Sequence, residues 1–561
     1  MKKLSRILTC VLVCAMVLGT CAMAAPAEHW ANETYSKYAA AGVFSDKEDL
    51  AQIDANVTRG EFVTALDELL DWSWDIMAEN KFTDLMMTAD GSYLADMNLY
   101  TDVLKAVGVG VLTGTADGKI NAFSDVTRQD ACVLLCRAYD IKTEDGVTSF
   151  ADDAAIDGYA KGAVAAIAKA GYITGRPGNE FDPKGTITRA ELCVVLDRMG
   201  KDYEAIAKRA ETKKSDWILD KSTEITVATV DTYAGDTGKM LPESFTYEGG
   251  WIETDENGKI TTEATGTKDL NIRLWLPEGT KAGDKTPVFL YTFGGSWISG
   301  TNASINPFMV EYLVEHGIAV ASLTYRYEHE ACFPYSMYDL QAQIRYLKLH
   351  ANELGIDGDN MGISGQSAGG YWAAQMAVSG NEKELQDPGY VTFEGDKLGM
   401  LTEIKYCACQ YGCFNMMDCT LYVDWRVQDP VAAVSQHDRA VSNDPNVLGT
   451  YAAGISPVEI REAYKNGTDD PLMKMMVQRF IDGSPLFQLD KDDPCFFLYH
   501  GTNDGLCPLN QAVEFFGALN AAGVEGNVMR VCEGMGHGRF HHPQYYMEML
   551  EWCVTNAEAN K

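Results

Sequence analysis

The stretch GISGQSAGG at residues 362–370 sets one serine among small residues, directly ahead of the apolar run YWAAQMAV. A nucleophile needs such a setting, because Gly365 and Gly369 leave room for a strained strand-to-helix turn that lifts the Ser367 hydroxyl above a sheet. A serine also needs a base to take its proton and an acid to orient the base. Asp504 follows the strand-like run CFFLYH, and His537, flanked by glycines, follows NVMRVCEG. The chain order is therefore nucleophile, acid, base, each just past a strand, and the chemistry such a set performs is acyl transfer. The oxyanion formed in that reaction needs hydrogen-bond donors. Gly294, Gly295 and Ser296, after the run PVFLYTF, and Ala368, after the serine, are placed to offer backbone N–H groups. Each residue has a plainer reading. G-x-S-x-G alone can be a packing turn, Asp504 lies in an N-D-G turn, and His541 and His542 are rivals to His537. His500 reads as a supporting residue at its strand end, and Tyr325, Asp339 and Arg345 as scaffold.

The elements around these residues must bring them together. NIRLWLP, PVFLYTF, IAVASLTYR, MGIS, IKYCACQ, CFFLYH and NVMRVCEG are short runs rich in β-branched or aromatic residues. Helix-period segments such as MYDLQAQIRYLKLHANEL and NQAVEFFGALNAAG lie between several of them. This alternation over residues 221–561 predicts an α/β fold with a doubly wound, mostly parallel sheet, whose active groups collect at the carboxyl ends of the strands. Residues 381–402 and 415–482 are too long for ordinary turns and are expected to form cap insertions over the site.

The first 200 residues have another texture. Thr58-Arg59-Gly60-Glu61, Thr127-Arg128-Gln129-Asp130 and Thr188-Arg189-Ala190-Glu191 each open a helical pattern, 16 or 17 residues after Gly42, Gly110 and Gly171. The periodicity predicts three all-α repeats, at about 26–80, 81–145 and 146–200, joined to the rest by a charged linker at 201–220. The threonine and the acid three residues later read as a capping box. Capping does not explain the arginine at the first helical position, where a positive charge opposes the helix dipole. An exposed arginine there would suit an anionic ligand.

The repeats resemble S-layer homology modules, with FDPKGTITRAE at 181–191 the closest in pattern and the second copy the most degenerate. That resemblance implies binding of pyruvylated secondary cell-wall polysaccharide, with Arg59, Arg128 and Arg189 in the binding grooves. Residues 286–380 and 484–540 resemble α/β-hydrolase esterases of the H-G-G-x-W group, which includes carboxylesterases and feruloyl or acetyl-xylan esterases. The matching stretches are FGGSW, GIAVASLTYRY, FPYSMYDLQAQIRYLKLHANELGID, GISGQSAGG, YHGTNDGLCP and EGMGHG. The resemblance implies a serine ester hydrolase with Ser367, Asp504 and His537 catalytic and Gly294, Gly295, Ser296 and Ala368 as the oxyanion hole. Phe293 departs from the group, which has histidine there; that histidine mainly supports the loop, so the hole should survive. A serine peptidase on the same fold and a non-catalytic wall protein are the alternatives.

Composition bounds the rest. The chain has 561 residues, 46% hydrophobic and 22% charged, which is globular and too long for one core. Its formal net charge of −34 disfavours nucleic acid and anionic membrane as partners. MKKLSRILTCVLVCAMVLGTCAMAA at 1–25 reads as a secretory signal, and no later stretch is apolar for long enough to span a bilayer. Export and wall attachment to a Gram-positive-type envelope are therefore expected, with an ester, free or polysaccharide-linked, as substrate. No cofactor or metal is expected. Cys407, Cys409, Cys413 and Cys419 are clustered, but Cys407 and Cys409 project to one face of a strand without the knuckle spacing of a zinc site. A disulfide within the cluster remains open.

Overall fold

The computed structural model describes residues 29–40, 43–44, 52–70, 72–73, 76–85, 97–143, 146–200, 221–233, 259–297, 299–327, 330–331, 333–418, 457–538 and 543–561. Residues 1–25, read as an export signal, residues 201–220, read as a linker, and Cys419, His541 and His542 lie outside the described residues. The chain divides into two compact units, Met1–Trp217 and Ile218–Lys561. No helix among the described residues is long and apolar enough to cross a membrane.

Among the described residues of the first unit, six α-helices form three successive pairs: α1 (Asn32–Ala40) and α2 (Arg59–Leu70), α3 (Met97–Gly108) and α4 (Arg128–Ala138), α5 (Lys161–Lys169) and α6 (Arg189–Met199). The three helices that begin at arginine start where the capping pattern predicts. Thr58, Thr127 and Thr188 each accept the amide three residues on, at 3.2 Å in every copy. Each of these helices packs on the first helix of the next pair, α2 on α3, α4 on α5, and α6 back on α1. The backbone closes the same ring: Val57 N–H donates to Ile187 C=O (3.0 Å), Ile187 to Val126 (3.0 Å) and Val126 to Val57 (2.8 Å). All three side chains are buried at this centre. Burial of a Val or Ile side chain is worth about 1.5–3 kcal/mol, so the closing segments form an apolar hub as well as a hydrogen-bonded one.

The second unit is built on one eight-stranded sheet of order β1-β2-β4-β3-β5-β6-β7-β8. Its strands are β1 (Thr223–Thr232), β2 (Gly266–Trp275), β3 (Thr286–Thr292), β4 (Ala319–Leu323), β5 (Ile356–Gln366), β6 (Tyr406–Gln410), β7 (Cys495–Gly501) and β8 (Val528–Cys532). Seven of them coincide with the apolar runs read from sequence. β1, whose burial alternates, is the addition. β1–β2 and β2–β4 pair antiparallel, and the remaining five pairings are parallel. β3, β4 and β6 are almost wholly buried, as strands covered on both faces must be. Among the described residues the longer helices are α7 (Pro307–Glu315), α8 (Tyr335–Leu349), α9 (Ala368–Ser379), α10 (Pro457–Asn466), α11 (Pro471–Asp482), α12 (Leu509–Ala522) and α13 (Pro543–Ala559). Buried pairs anchor α8. Arg326 and Asp339 are joined by a two-oxygen contact (2.6–3.1 Å), and Arg345 holds Asp396 at 2.8–2.9 Å. Asp339 and Arg345 are thus scaffold.

One expectation is corrected here. Residues 381–402 leave the far end of α9 and lead into the start of β6, so they lie at the amino ends of the strands, opposite Ser367. Gln341 and Arg345 on α8 hold them there through Asp387 and Asp396. Their length reflects attachment to α8 and not a cap. The insertion after β6 does leave from the carboxyl edge. Of it, α10 and α11 are described, and the segment is tied back where Leu486 N–H meets Phe414 C=O (3.0 Å) and Met416 N–H meets Ser484 Oγ (2.9 Å).

Candidate active site

Ser367 stands between the end of β5 and the start of α9, with φ 55° and ψ −125°. A non-glycine residue held there stores about 1–3 kcal/mol of strain, which the surroundings must offset. They do so through close packing that only glycine permits. A Cβ on Gly365 would lie 2.1 Å from Gly369 O, and one on Gly369 would lie 2.1 Å from Thr292 O. Ser367 N–H donates to Gln410 C=O at the end of β6 (2.9 Å), and Thr292 Oγ1 donates to Gly369 C=O (2.7 Å). The turn is therefore fixed from both neighbouring strands.

His537 Nε2 lies 2.9 Å from Ser367 Oγ, while its Nδ1 lies 3.0 and 2.9 Å from the two oxygens of Asp504. Three groups separated by up to 170 residues thus meet in one line. A carboxylate at Nδ1 requires the proton on that nitrogen, which leaves Nε2 as the acceptor for the serine hydroxyl. The loops that carry acid and base are tied to each other. Asn503 N–H donates to Met535 C=O (2.7 Å), Thr502 N–H to Cys532 C=O (3.0 Å), and Gly534 N–H to Thr502 Oγ1 (2.7 Å). Tyr411 meets the imidazole edge-on, with ring centroids 4.8 Å apart, and its hydroxyl donates to Gln366 Oε1 (2.9 Å).

The Asp504 side chain is fully buried, yet every partner favours its charge. Leu506 and Cys507 amides donate to Oδ1 at 2.9 and 2.8 Å, and His500 Nε2 approaches Oδ2 at 3.3 Å. Burial alone would raise the carboxyl. The hydrogen bonds from His500 and His537 outweigh it and hold the group down at about 2. His500 Nε2 also lies 2.6 Å from Cys507 C=O, so with two acceptors before it that nitrogen carries the proton. The support read for His500 is thus directed at the acid itself.

The loop after β3 approaches the serine from the other side. A Cβ on Gly294 would sit 2.5 Å from Gln366 O and 3.2 Å from Ser367 Cβ, so this backbone lies against Ser367. Gly295, at φ 127°, is pressed instead on Ser299, whose N–H and Oγ both donate to Gly295 C=O (3.1 and 3.0 Å). Ser296 and Trp297 follow in the left-handed region at φ 52° and 58°. Ala368, at the first turn of α9, has an N–H with no intrahelical acceptor. Phe293, in the place of a histidine, is buried and stacks on Tyr325 at 4.3 Å, while Tyr325 Oη donates to Phe293 C=O (2.8 Å). The aromatic pair supports the loop that a histidine would otherwise hold.

Arg59, Arg128 and Arg189 are placed differently from their expected exposure. Arg128 and Arg189 are only 3% and 6% exposed, and Arg59 is half-buried. Each reaches a neighbouring repeat. Arg128 contacts Glu191 (2.8 Å) and the carbonyls of Phe181 and Thr174, and Arg189 contacts Glu61 (2.6 Å). Arg59 donates to the carbonyls of Ile120 and Thr113; burial lowers its guanidinium pKa and Asp130 opposes that shift. The positive charge at the helix start is therefore matched by the capping acid of the next copy. Sequence did not reveal this, because the partners lie as many as 128 residues away.

Three family models match the chain: BD-FAE over residues 272–456, the prolyl oligopeptidase family over 458–559, and the S-layer homology domain over 149–193. The first spans Gly294 and Ser367, and the second spans Asp504 and His537. Two curated relatives from Mycobacterium tuberculosis, "Probable carboxylic ester hydrolase LipM" and "Esterase LipQ", are each 24% identical over 251 and 259 residues, 44% and 46% of this chain. These alignments take in 48% and 51% of the relatives, so the chain spans about half the length of the curated relatives it matches. A solved structure, "Truncated form of carbohydrate esterase from gut microbiota", is 21% identical, with 60% of this chain and 97% of that one covered and a TM-score of 0.39.

Proposed function

We propose that this chain, which carries an S-layer homology domain and an α/β-hydrolase domain, is a wall-attached serine esterase. The single observation that carries the catalytic reading is the continuous line Ser367 Oγ–His537 Nε2–Nδ1–Asp504, with contacts of 2.9 to 3.0 Å. Ser367 Oγ attacks the ester carbonyl carbon while His537 takes its proton. The oxyanion that forms faces the N–H groups of Gly294 and Ala368, with those of Gly295 and Ser296 next in the loop. Collapse expels the alcohol, which receives the proton from His537, and an acyl-serine remains. Water, deprotonated by the same imidazole, then releases the acid and restores the serine. Asp504 stays ionised and balances the imidazolium charge at each step.

The substrate class we assign is an acyl or feruloyl ester on plant polysaccharide, or a related small ester. The support is the BD-FAE match over the nucleophile together with a wall-binding domain in the same chain. Secretion through the 1–25 signal and retention on secondary cell-wall polysaccharide complete the reading. In it Arg59, the most exposed of the three arginines, contacts the anionic polysaccharide, and Arg128 and Arg189 shape the grooves from within. The test is hydrolysis of p-nitrophenyl acetate and labelling by a fluorophosphonate, both abolished in Ser367→Ala. A folded wild-type chain that neither hydrolyses nor labels would refute the esterase and point to a non-catalytic wall protein.

The prolyl oligopeptidase match over 458–559 favours one alternative, a serine peptidase. A comparison of kcat/KM on methyl ferulate, acetylated xylan and peptidyl-proline amides separates the two, since a peptidase would favour the amides.

A further inference from the structure

Beside the acid loop lie two thiols that the proposed mechanism does not use. Cys413 and Cys507 are both buried, and their Sγ atoms are 2.9 Å apart. That separation is closer than two non-bonded sulfur atoms pack, though longer than the ~2.05 Å of a bond. The residues come from segments 94 positions apart in the chain. Cys407 and Cys409 are a different case. Their Sγ atoms are 3.4 Å apart, but they sit two positions apart on one strand, where the extended backbone holds the Cα atoms near the upper limit for a bridge of about 6.8 Å.

What surrounds the pair gives it a role. Cys507 is part of the acid's own cradle: its N–H donates to Asp504 Oδ1 at 2.8 Å, and its carbonyl lies 2.6 Å from His500 Nε2. Cys413 lies two residues past Tyr411, the ring that meets His537 edge-on. The next amides, of Phe414 and Asn415, both donate to Gln511 Oε1 at 2.9 Å, and so dock this segment on the helix that follows Cys507. The acid's support and the imidazole's support therefore approach each other through these two sulfurs.

We propose that Cys413 and Cys507 form a disulfide in the exported protein, fastening the Asp504 loop to the segment that carries Tyr411. In the step, an organic disulfide, either a small molecule or a protein oxidoreductase, accepts two electrons from the two thiols. One thiolate attacks it and expels a first thiol, and the second thiolate resolves the mixed disulfide and expels another. Two protons go to the departing thiolates, and one S–S bond replaces another. Because both sulfurs are sealed from solvent, the exchange takes place while the loop is still closing during folding. An extracellular surface is a compartment where such a bond persists.

The experiment refolds the full-length chain with oxidised glutathione, alkylates it under denaturing conditions without reductant, and maps the peptides by mass spectrometry. A linked peptide joining Cys413 to Cys507 is expected. Thermal unfolding should show the oxidised chain melting roughly 5 °C above the reduced one, a difference absent in Cys413→Ser. Alkylation of both residues, or a bridge from Cys413 to Cys419, overturns the proposal. An oxidised chain whose melting advantage survives in Cys413→Ser overturns the fastening role. The significance for catalysis rests on the triad reading, but the peptide map does not use activity. A failed map therefore leaves Ser367 untouched, and an inactive enzyme leaves the map intact.

Discussion

Replacing Gly294 by alanine tests the oxyanion loop at the point where it meets the nucleophile. The added Cβ would lie 2.5 Å from Gln366 O and 3.2 Å from Ser367 Cβ. The first separation must open by roughly 1 Å to reach an ordinary contact. Gln366 cannot yield, because Ser367 N–H is bonded to Gln410 C=O and the Gln366 side chain is held by Tyr411 Oη. The loop must move, and a donor at about 2.9 Å retreats to about 3.9 Å, beyond hydrogen-bonding range. Loss of one such donor costs about 10²–10³ in kcat, or about 2.7–4 kcal/mol of transition-state stabilisation. KM should change little, since the oxyanion exists only in the transition state and the intermediate. Steady-state hydrolysis of p-nitrophenyl acetate reads the effect, and fluorophosphonate labelling should slow in parallel because it too builds negative charge on oxygen. Circular dichroism and Tm establish that the variant is folded. A folded Gly294→Ala enzyme with kcat/KM within about threefold of wild type would refute the loop as an oxyanion hole.

Asp504→Asn should lower kcat by about 10⁴, because an amide can stabilise the wrong imidazole tautomer and no imidazolium; an effect below tenfold would remove Asp504 from the relay. The same carboxyl predicts an acid limb of stability. Its pKa falls from 3.8 unfolded to about 2 folded, so its contribution is present in full above about pH 4 and is lost as the pH falls through 2. That contribution is about 2 kcal/mol, and the urea stability gap between wild type and Asp504→Asn should narrow by that much from pH 5 to pH 2. A gap constant with pH would contradict the assignment. In the repeat unit, Arg128→Ala removes the buried partner of Glu191, which keeps Arg176 at 3.3 Å, and should cost about 1.5–3 kcal/mol, seen as a lowered calorimetric transition that Arg128→Lys does not restore. Arg59→Ala, which gives up contacts to the Ile120 and Thr113 carbonyls, should lower that transition by less than Arg128→Ala while weakening binding of the intact chain to purified wall polysaccharide; undiminished binding would remove Arg59 from the groove.

What could be read from sequence was the chemistry fixed by local pattern. Ser367, Asp504 and His537 each follow an apolar run with period-two or continuous hydrophobicity, and in a parallel sheet such runs end at one edge. The turn glycines at 365 and 369 are likewise a local demand, and the structure gives its cause in the 2.1 Å approaches a Cβ would suffer. The arginines show the opposite case. Their position opposing a helix dipole was visible, but the reason was not, because Glu191 and Glu61 become neighbours only when the three repeats close into a ring. The misplaced cap at 381–402 failed through length alone, when order along the chain held the better signal. A segment between the helix after the nucleophile and the next parallel strand must run at the amino edge, whatever its length.

The same reasoning explains why the partners of the supporting residues stayed hidden, even where, as at His500, a supporting role was read. Ser367, Asp504 and His537 are each held by their own strand end, so sequence exposes them one at a time. His500, Tyr411 and Cys507 act between strand ends. His500 reaches Asp504 from the end of β7, Tyr411 reaches His537 from the end of β6, and the Cys507 backbone serves both the acid and His500. These contacts exist only once β6, β7 and β8 are side by side. Pairing those strands in register therefore assembles two layers together: the Ser367–His537–Asp504 line, and the contacts that keep the carboxylate charged and the imidazole oriented.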